Sequence, residues 1–238
     1  MNKVAIYHFT DGSEKRPIVN EKQMIALREY ASGYGIVEKE YLDKSIKKYE
    51  QEEKQILMEE IINYDVLVTK DFYHIAINTG TCIGLMQQFL MLGVETHSIE
   101  DGCFSFSEAP FDKELNVAIY HAKYEDNSPS AKQQKKGNCI TAQTQIEVLQ
   151  LFVKKKTNWK VVDVYVDEAQ GQSNDKQKSL LELIENRKKY DLVLCKDFNT
   201  IHWRTAKFCK RRNDMQLDIY SIKEGYLKFE RRNLYEKK

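Results

Sequence analysis

The sequence predicts a tandem α/β protein, in which two three-layer domains each hold a mostly parallel sheet flanked by helices. Three observations predict it. The pentapeptide Val4–His8 recurs letter for letter at 117–121, which indicates an internal repeat. In each half, short aliphatic runs alternate with segments of helical periodicity, as in βαβ units. The runs at 66–68 and 192–194 are apolar on both faces, as in strands buried within a parallel sheet.

The repeat continues through both halves in the same order, although the loops differ in length. Further matching segments are 37–43 with 161–167, 64–72 with 190–198, and 98–102 with 221–225. Chance does not produce several matches in one order. The pattern breaks near Pro110, which predicts domains at 1–112 and 113–238.

Apolar spacing predicts the elements of each half in turn. In the first half we expect strands at 4–8, 36–42, 66–68 and 94–99. The helices between them run through Met24, Leu27, Ala31 and Tyr34, and over about 51–63 and 78–92. In the second half we expect strands at 117–121, 161–166, 192–194 and 217–222. Its first helix runs through Ile146, Leu149 and Val153. The second covers about 177–188, with a stripe of Leu180, Leu181, Ile184 and Lys188 on one face, and the third covers about 203–213.

Composition and charge limit the classes of function. No apolar stretch approaches the roughly 20 residues of a membrane span, and the N-terminus has too few apolar residues for a signal peptide, so we expect a cytoplasmic protein. Residues 1–113 carry a net charge of −7 and residues 114–238 one of +8. This asymmetry favours either a polyanion-binding second half or two halves that attract each other as an intramolecular pseudo-dimer.

No cofactor is expected. The five cysteines are scattered, without Cys-x-x-Cys or Cys/His spacing, which predicts reduced thiols, no disulfide and no structural metal. Neither first strand is followed by a glycine-rich phosphate loop, which argues against binding of a dinucleotide or a nucleoside triphosphate.

The order of the motifs resembles the N-terminal catalytic domain of serine recombinases (resolvases and invertases), in particular the large recombinases of mobile elements. The best-matching stretch is Thr141–Asn174, where Gln145, Tyr165 and Asp167 hold places in the family's motifs. The family's segment after the third strand is similar to 68–74 and 195–200. The resemblance covers nearly the whole chain, twice, and implies two resolvase-like domains of flavodoxin-like fold.

The residues that carry the family's reaction are replaced in both halves. In that family a serine hydroxyl attacks a DNA phosphodiester, and several arginines neutralise the charge on the scissile phosphate. At the arginine and serine of the first strand this chain has Phe9 and Asp11, and in the repeat it has Ala122 and Tyr124. The later arginine positions hold four other residues: His74, Ile77, Thr200 and Trp203. The resemblance therefore implies a degenerate site without catalytic residues.

Two basic stretches are candidates for DNA contact. Helical spacing groups one set of cations, Arg204, Lys207, Lys210, Arg211 and Arg212, and a basic tail contains Arg231 and Arg232. We interpret them as a sequence-independent contact with DNA phosphates that weakens with salt. A solvated helix face with a disordered tail is the alternative. No helix-turn-helix or zinc-binding pattern follows the second half, so sequence-specific DNA binding is not expected.

These observations lead to one hypothesis and two alternatives. The hypothesis is a catalytically degenerate recombinase-like protein of a mobile element, which modulates recombination by pairing with an active recombinase or with DNA. One alternative is an active strand-exchange recombinase with a non-standard nucleophile at Thr10, Ser13 or Tyr124. The other is a protein-interaction module that does not bind DNA. No membrane partner is expected.

Overall fold

Two compact units make up the chain in the computed structural model, which describes residues 1–9, 17–44, 51–122, 141–167 and 177–229, and only the backbone of 17–20. Unit 1 contains Met1–Phe104 together with Arg204–Cys209. Unit 2 contains Ser105–Trp203 and, within the described residues, 210–229. Neither unit is therefore one continuous stretch of sequence.

Unit 1 is a five-stranded sheet with helices. Its strands are β1 (Lys3–Phe9), β2 (Ile36–Asp43), β3 (Val66–Thr69), β4 (Glu95–Ser98) and β5 (Gly102–Cys103), in the spatial order β2-β1-β3-β4-β5. The first four are parallel, and β5 is antiparallel to β4. The helices are α1 (Pro17–Ser32), α2 (Glu52–Glu60) and α3 (Thr79–Met91). The order 2-1-3-4 of the parallel strands is that of a flavodoxin-like sheet.

Unit 2 repeats this order with one strand more. Its strands are β6 (Ser105–Ser107), β7 (Leu115–Ala122), β8 (Trp159–Asp167), β9 (Leu192–Cys195), β10 (Asp218–Ser221) and β11 (Gly225–Lys228), in the order β8-β7-β9-β10-β11-β6. Strands β7 to β10 are parallel, and β11 is antiparallel to both neighbours. Helices α4 (Ala142–Lys154) and α5 (Lys178–Glu185) follow β7 and β8. Helix α6 (Thr205–Met215) begins in unit 1 and ends in unit 2.

The cores form where aliphatic strands meet the apolar stripes of the helices. In unit 1, Val4 and Ile6 of β1 pack with Val66 and Val68 of β3 against Leu27 of α1. The corresponding core of unit 2 contains Val117, Ile119, Leu149, Val153, Leu192 and Leu194. The intervening residues of β1 and β7 are buried as well, since the central strands are covered on both faces.

The structure confirms the alternation of strands and helices and a mixed α/β fold with two mainly parallel sheets flanked by helices. The expected stripe on α5 was partly wrong: Leu180 and Leu183 are buried, whereas Leu181 and Lys188 are exposed. The antiparallel strands β5, β6 and β11 were not predicted. None of the described helices is both long and apolar enough to cross a membrane.

Candidate functional site

The strand order predicts one candidate site in each unit, at the carboxyl edge of the sheet. In an open parallel sheet, ligands bind outside the strand ends where the strand order reverses. That position lies between β1 and β3 in unit 1 and between β7 and β9 in unit 2. Asp11 and Tyr124, which follow β1 and β7, lie outside the described residues. The described part of each site therefore consists of the strand ends and the segments after β3 and β9.

Three aromatic rings fill the strand ends in unit 1. His8 and Phe9 end β1, and His74 lies in a 3-10 turn after β3. The ring centroid of His74 is 4.0 Å from that of Phe9 and 4.9 Å from that of His8, and both pairs are stacked. All three side chains are buried. Phe9 and His74 correspond to arginines in the serine-recombinase pattern, so aromatic rings stand where that pattern has guanidinium groups.

A carboxylate orients the His74 ring. Asp71 Oδ1 accepts a hydrogen bond from the backbone N–H of His74 at 3.2 Å and lies 2.8 Å from its Nδ1 atom. Burial alone raises the pKa of Asp71, but the contacts with His74 outweigh it and hold the pKa below its usual value. In unit 2, Asp197 Oδ1 accepts from the backbone N–H of Thr200 at 2.9 Å and from its hydroxyl at 3.0 Å. The aspartate therefore caps the same turn in both units, and only unit 1 adds an imidazole.

His8 is a buried, uncharged imidazole. Its pKa is lowered to about 4, first by burial and then by the proximity of the His74 ring and the Lys70 ammonium, while Asp71 acts in the opposite direction. Neither ring nitrogen forms a hydrogen bond of normal geometry among the described residues, although the Gln23 side chain lies close enough to raise the pKa slightly.

A second buried carboxylate links the end of the edge strand to the next helix in each unit. Asp43 Oδ2 accepts a hydrogen bond from the hydroxyl of Tyr7 at 3.0 Å, and the carboxylate also accepts from the backbone N–H groups of Glu53 and Lys54. Burial, reinforced by this carboxylate, raises the pKa of Tyr7. The hydroxyl is therefore a donor and not a nucleophile at neutral pH.

Unit 2 repeats this arrangement around Asp167. The hydroxyl of Tyr120 donates to Asp167 Oδ2 at 3.0 Å, and the backbone N–H groups of Ser179 and Leu180 donate to the same carboxylate at 2.9 and 3.1 Å. Burial raises the pKa of Tyr120 as well. Sequence analysis had matched these letters between the halves without identifying the contact, since the two partners are 47 residues apart.

The described cations at the edge of unit 1 are already engaged. The Lys54 ammonium donates to the carbonyl oxygen of Ile75, and burial lowers its pKa. The Lys70 ammonium lies 3.4 Å from a Glu100 carboxylate oxygen and 3.9 Å from one of Asp71. Neither lysine forms part of a cationic cluster among the described residues.

In unit 2 the positions that correspond to catalytic arginines hold uncharged side chains. Ala122 and Thr200 are buried, and Trp203 is half-buried with its ring 6.5 Å from that of His202. The corresponding side chain in unit 1, Ile77, is 41% exposed. These side chains lack the charge that stabilises a pentacoordinate phosphate. The structure thus brings Phe9 and His74 into contact with each other and has no arginine or lysine at these positions.

Helix α6 hides part of its positive charge. Arg211 and Arg212 are 8% and 3% exposed. The Arg212 guanidinium donates to the carbonyl oxygen of Lys228 at 3.1 Å and lies 5.4 Å from the centre of the Phe229 ring. Two of the five cations on the predicted DNA-binding flank therefore have little surface to offer a phosphate.

The remaining cations of the predicted DNA contact differ in accessibility. Arg204 and Lys210 are exposed and Lys207 is half-buried. Arg231 and Arg232 of the basic tail lie outside the described residues. DNA contact through α6 stays a prediction, and it depends on Arg204, Lys207 and Lys210.

Metal chemistry has no evident site in the described part of the chain. There, no group of three or more histidine, cysteine, aspartate or glutamate side chains is placed to hold a metal ion. Four cysteines, Cys82, Cys103, Cys195 and Cys209, are free thiols. Burial raises the pKa of Cys82 to about 12 and that of Cys195 well above its usual value, so both remain protonated at neutral pH.

Comparisons with known proteins identify no family for the chain. No family model and no characterised protein sequence matches it. Among solved structures, the C-terminal catalytic domain of an IS607-like serine recombinase is similar, with 16% identity, a TM-score of 0.36 and coverage of 41% of this chain and 69% of that one. A resolvase family recombinase from Streptococcus pneumoniae has 14% identity, a TM-score of 0.36 and coverage of 65% and 98%. A myo-inositol binding protein from Caulobacter has 12% identity, a TM-score of 0.28 and coverage of 92% and 74%. Similarities this low assign no activity.

Proposed function

We propose that this chain is a catalytically degenerate serine-recombinase-like protein, built from two copies of one ancestral domain, and that it acts as an accessory factor in DNA recombination by a mobile element. The observation that carries the proposal is the chemistry of the two carboxyl edges. At the positions of the family's arginines, unit 1 has the stacked pair Phe9 and His74, and unit 2 has Ala122 and Thr200.

The missing cations argue against phosphoryl transfer. Each lost donor to an anionic transition state lowers the rate by about 10²–10³-fold, and in the described part of each unit at least two of the family's arginine positions hold another residue. Carboxylates occupy the same edges: Asp43 and Asp167 are buried, and Asp71 and Asp197 are half-buried. Negative charge there opposes the approach of a DNA phosphate.

Matching contacts in the two units support their common origin. The hydroxyl of Tyr7 donates to Asp43 as that of Tyr120 donates to Asp167, each at 3.0 Å. The register of β1 with β2 shifts after Val4, and that of β7 with β8 shifts after Val117. Irregularities of this kind recur in relatives because they are built-in features of a fold.

An accessory role accounts for a protein that keeps the sequence motifs of the fold and lacks the reactive groups. The second half carries the positive charge of the chain, and Lys210 is exposed on α6, as is Arg204 directly before this helix. Such charges suit a weak, sequence-independent contact with DNA phosphates. The proposed protein partner is an active recombinase of the same element, because its fold would be similar to that of this chain.

Three assays test the proposal. A suicide DNA substrate, which traps covalent protein–DNA adducts, is expected to trap none with this chain. A recombination assay with an active recombinase of the same element is expected to change in yield when this chain is added, and a gel shift at low salt is expected to weaken in Lys210→Glu. An adduct abolished by Thr10→Ala, Ser13→Ala or Tyr124→Phe overturns the degeneracy. An unchanged recombination yield overturns the accessory role.

A further inference from the structure

Helix α4 carries exposed apolar side chains along one flank. Val148 is 52% exposed and Leu151 is 56% exposed, on the side opposite the buried Ile146, Leu149 and Val153. Solvated valines and leucines occur singly on most surfaces, whereas grouped ones mark contact surfaces. The question is whether this flank belongs to the common scaffold or only to unit 2.

Unit 1 provides the comparison, because the buried residues of α1 and α4 correspond at a constant offset. Leu27 matches Leu149, so Ala26 matches Val148 and Glu29 matches Leu151. The flank that is apolar on α4 is therefore small and acidic on α1. A scaffold requirement would have kept the same character in both units.

The neighbouring edge strand shows the same difference. Val164 of β8 lies opposite Ile119 in the register, on the sheet face that α4 covers, and it remains 37% exposed. Its match on β2 is Glu40, which accepts two hydrogen bonds from the Arg28 guanidinium of α1 at 2.6 and 2.7 Å. In unit 1 the Arg28–Glu40 ion pair covers this position of the edge strand, whereas in unit 2 the apolar side chain of Val164 is partly exposed to solvent.

Charges along α4 indicate what covers its flank. The stripe centred on Leu151 has an exposed acid one turn before it, Glu147, and exposed bases one turn after it, Lys154 and Lys155. Two such helices placed antiparallel about a two-fold axis at Leu151 bring Glu147 of one opposite Lys155 of the other. A parallel arrangement would oppose like charges. The stripe is therefore complementary to itself in one orientation only.

We propose that the α4 flank is a self-association surface, on which a second copy of this chain docks through an antiparallel pair of α4 helices. The helix is 13 residues long, or about 20 Å. One helix face with a strand edge is smaller than the roughly 800 Å² per partner of a standard stable interface, so the dimer is weak, with a dissociation constant of about 10–100 μM.

Sedimentation equilibrium of the full chain from about 5 to 500 μM tests the proposal. We expect a concentration-dependent dimer, and we expect Leu151→Glu, which installs the residue of the matching α1 position, to raise the dissociation constant at least about tenfold. Glu147→Lys or Lys155→Glu alone weakens the dimer by about three- to tenfold, because each opposes like charges. The double exchange Glu147→Lys with Lys155→Glu restores the wild-type constant to within about twofold.

The matched control is Ile25→Glu, which introduces the same charge on the exposed flank of α1 and leaves the association unchanged. Circular dichroism of every variant excludes loss of the fold as the cause of a change. A chain that remains monomeric at 500 μM overturns the proposal. So does a dimer that Leu151→Glu leaves intact, or a double exchange that fails to restore association.

Discussion

Replacement of Asp167 by alanine tests whether the buried carboxylate stabilises the edge of unit 2. The carboxylate accepts hydrogen bonds from Tyr120 at 3.0 Å and from the backbone N–H groups of Ser179 and Leu180 at the start of α5. Losing a helix cap costs about 1 kcal/mol. The Tyr120 hydroxyl, buried and left without its acceptor, costs about 1–3 kcal/mol more. We therefore expect Asp167→Ala to lower the free energy of unfolding by about 2–4 kcal/mol.

Urea unfolding measures this loss, and hydrogen exchange localises it. The amides of Ser179 and Leu180 are expected to exchange faster, while those of Glu53 and Lys54 in unit 1 stay as they are. Asp167→Asn, which keeps one acceptor oxygen, is expected to cost about half as much. Adding Tyr120→Phe to Asp167→Ala removes the stranded hydroxyl and recovers about 1 kcal/mol. A loss below about 0.5 kcal/mol, or no recovery in the double variant, refutes the reasoning.

Two further predictions use the structure in the same way. Because the pKa of His8 falls from its ordinary 6.5 to about 4 on folding, the unfolded chain takes up the proton first as the pH falls. The contribution of neutral His8 to the free energy of unfolding is therefore fully present above about pH 6.5 and is lost toward pH 4. The loss is about 1–2 kcal/mol between pH 7 and pH 5. Urea titrations should find that the dependence of this free energy on pH is reduced in His8→Phe. Gln216 follows α6 with a φ of 54°, where Gly93 follows α3 with 82°. Gln216→Gly is expected to raise stability by up to about 1 kcal/mol and Gly93→Gln to lower it by a similar amount, and a lower melting temperature for Gln216→Gly would contradict this.

The central strands were predictable because their burial is written in the sequence. Val4–His8 and its repeat are continuous aliphatic and aromatic runs, and helices α1 and α4 place their buried residues at the expected spacing. The strand β6 was not predictable. Its Ser-Phe-Ser sequence has no strand pattern of its own, and it joins the sheet by pairing with β11, more than 100 residues away.

The candidate site was only partly predictable. The substitutions at Phe9 and His74 are visible in the sequence, but their stacking needs the ends of β1 and β3 to meet. Helical spacing placed Arg211 and Arg212 on one basic flank, while their burial depends on where Lys228 and Phe229 run. Periodicity reports which residues share a helix face and does not report what covers that face.

The late segment Arg204–Cys209 has a consequence for the synthesis of the chain. It supplies unit 1 with the Thr205 hydroxyl, which donates to the carbonyl of Ala76 at 2.6 Å, and with the Phe208 ring, 6.1 Å from that of Phe104. A ribosome would make about 100 residues after Phe104 before this piece emerges, so unit 1 lacks these contacts for most of translation although all five of its strands have been made. A stop codon shortly before residue 204 would destabilise unit 1, although every strand of its sheet would still be present.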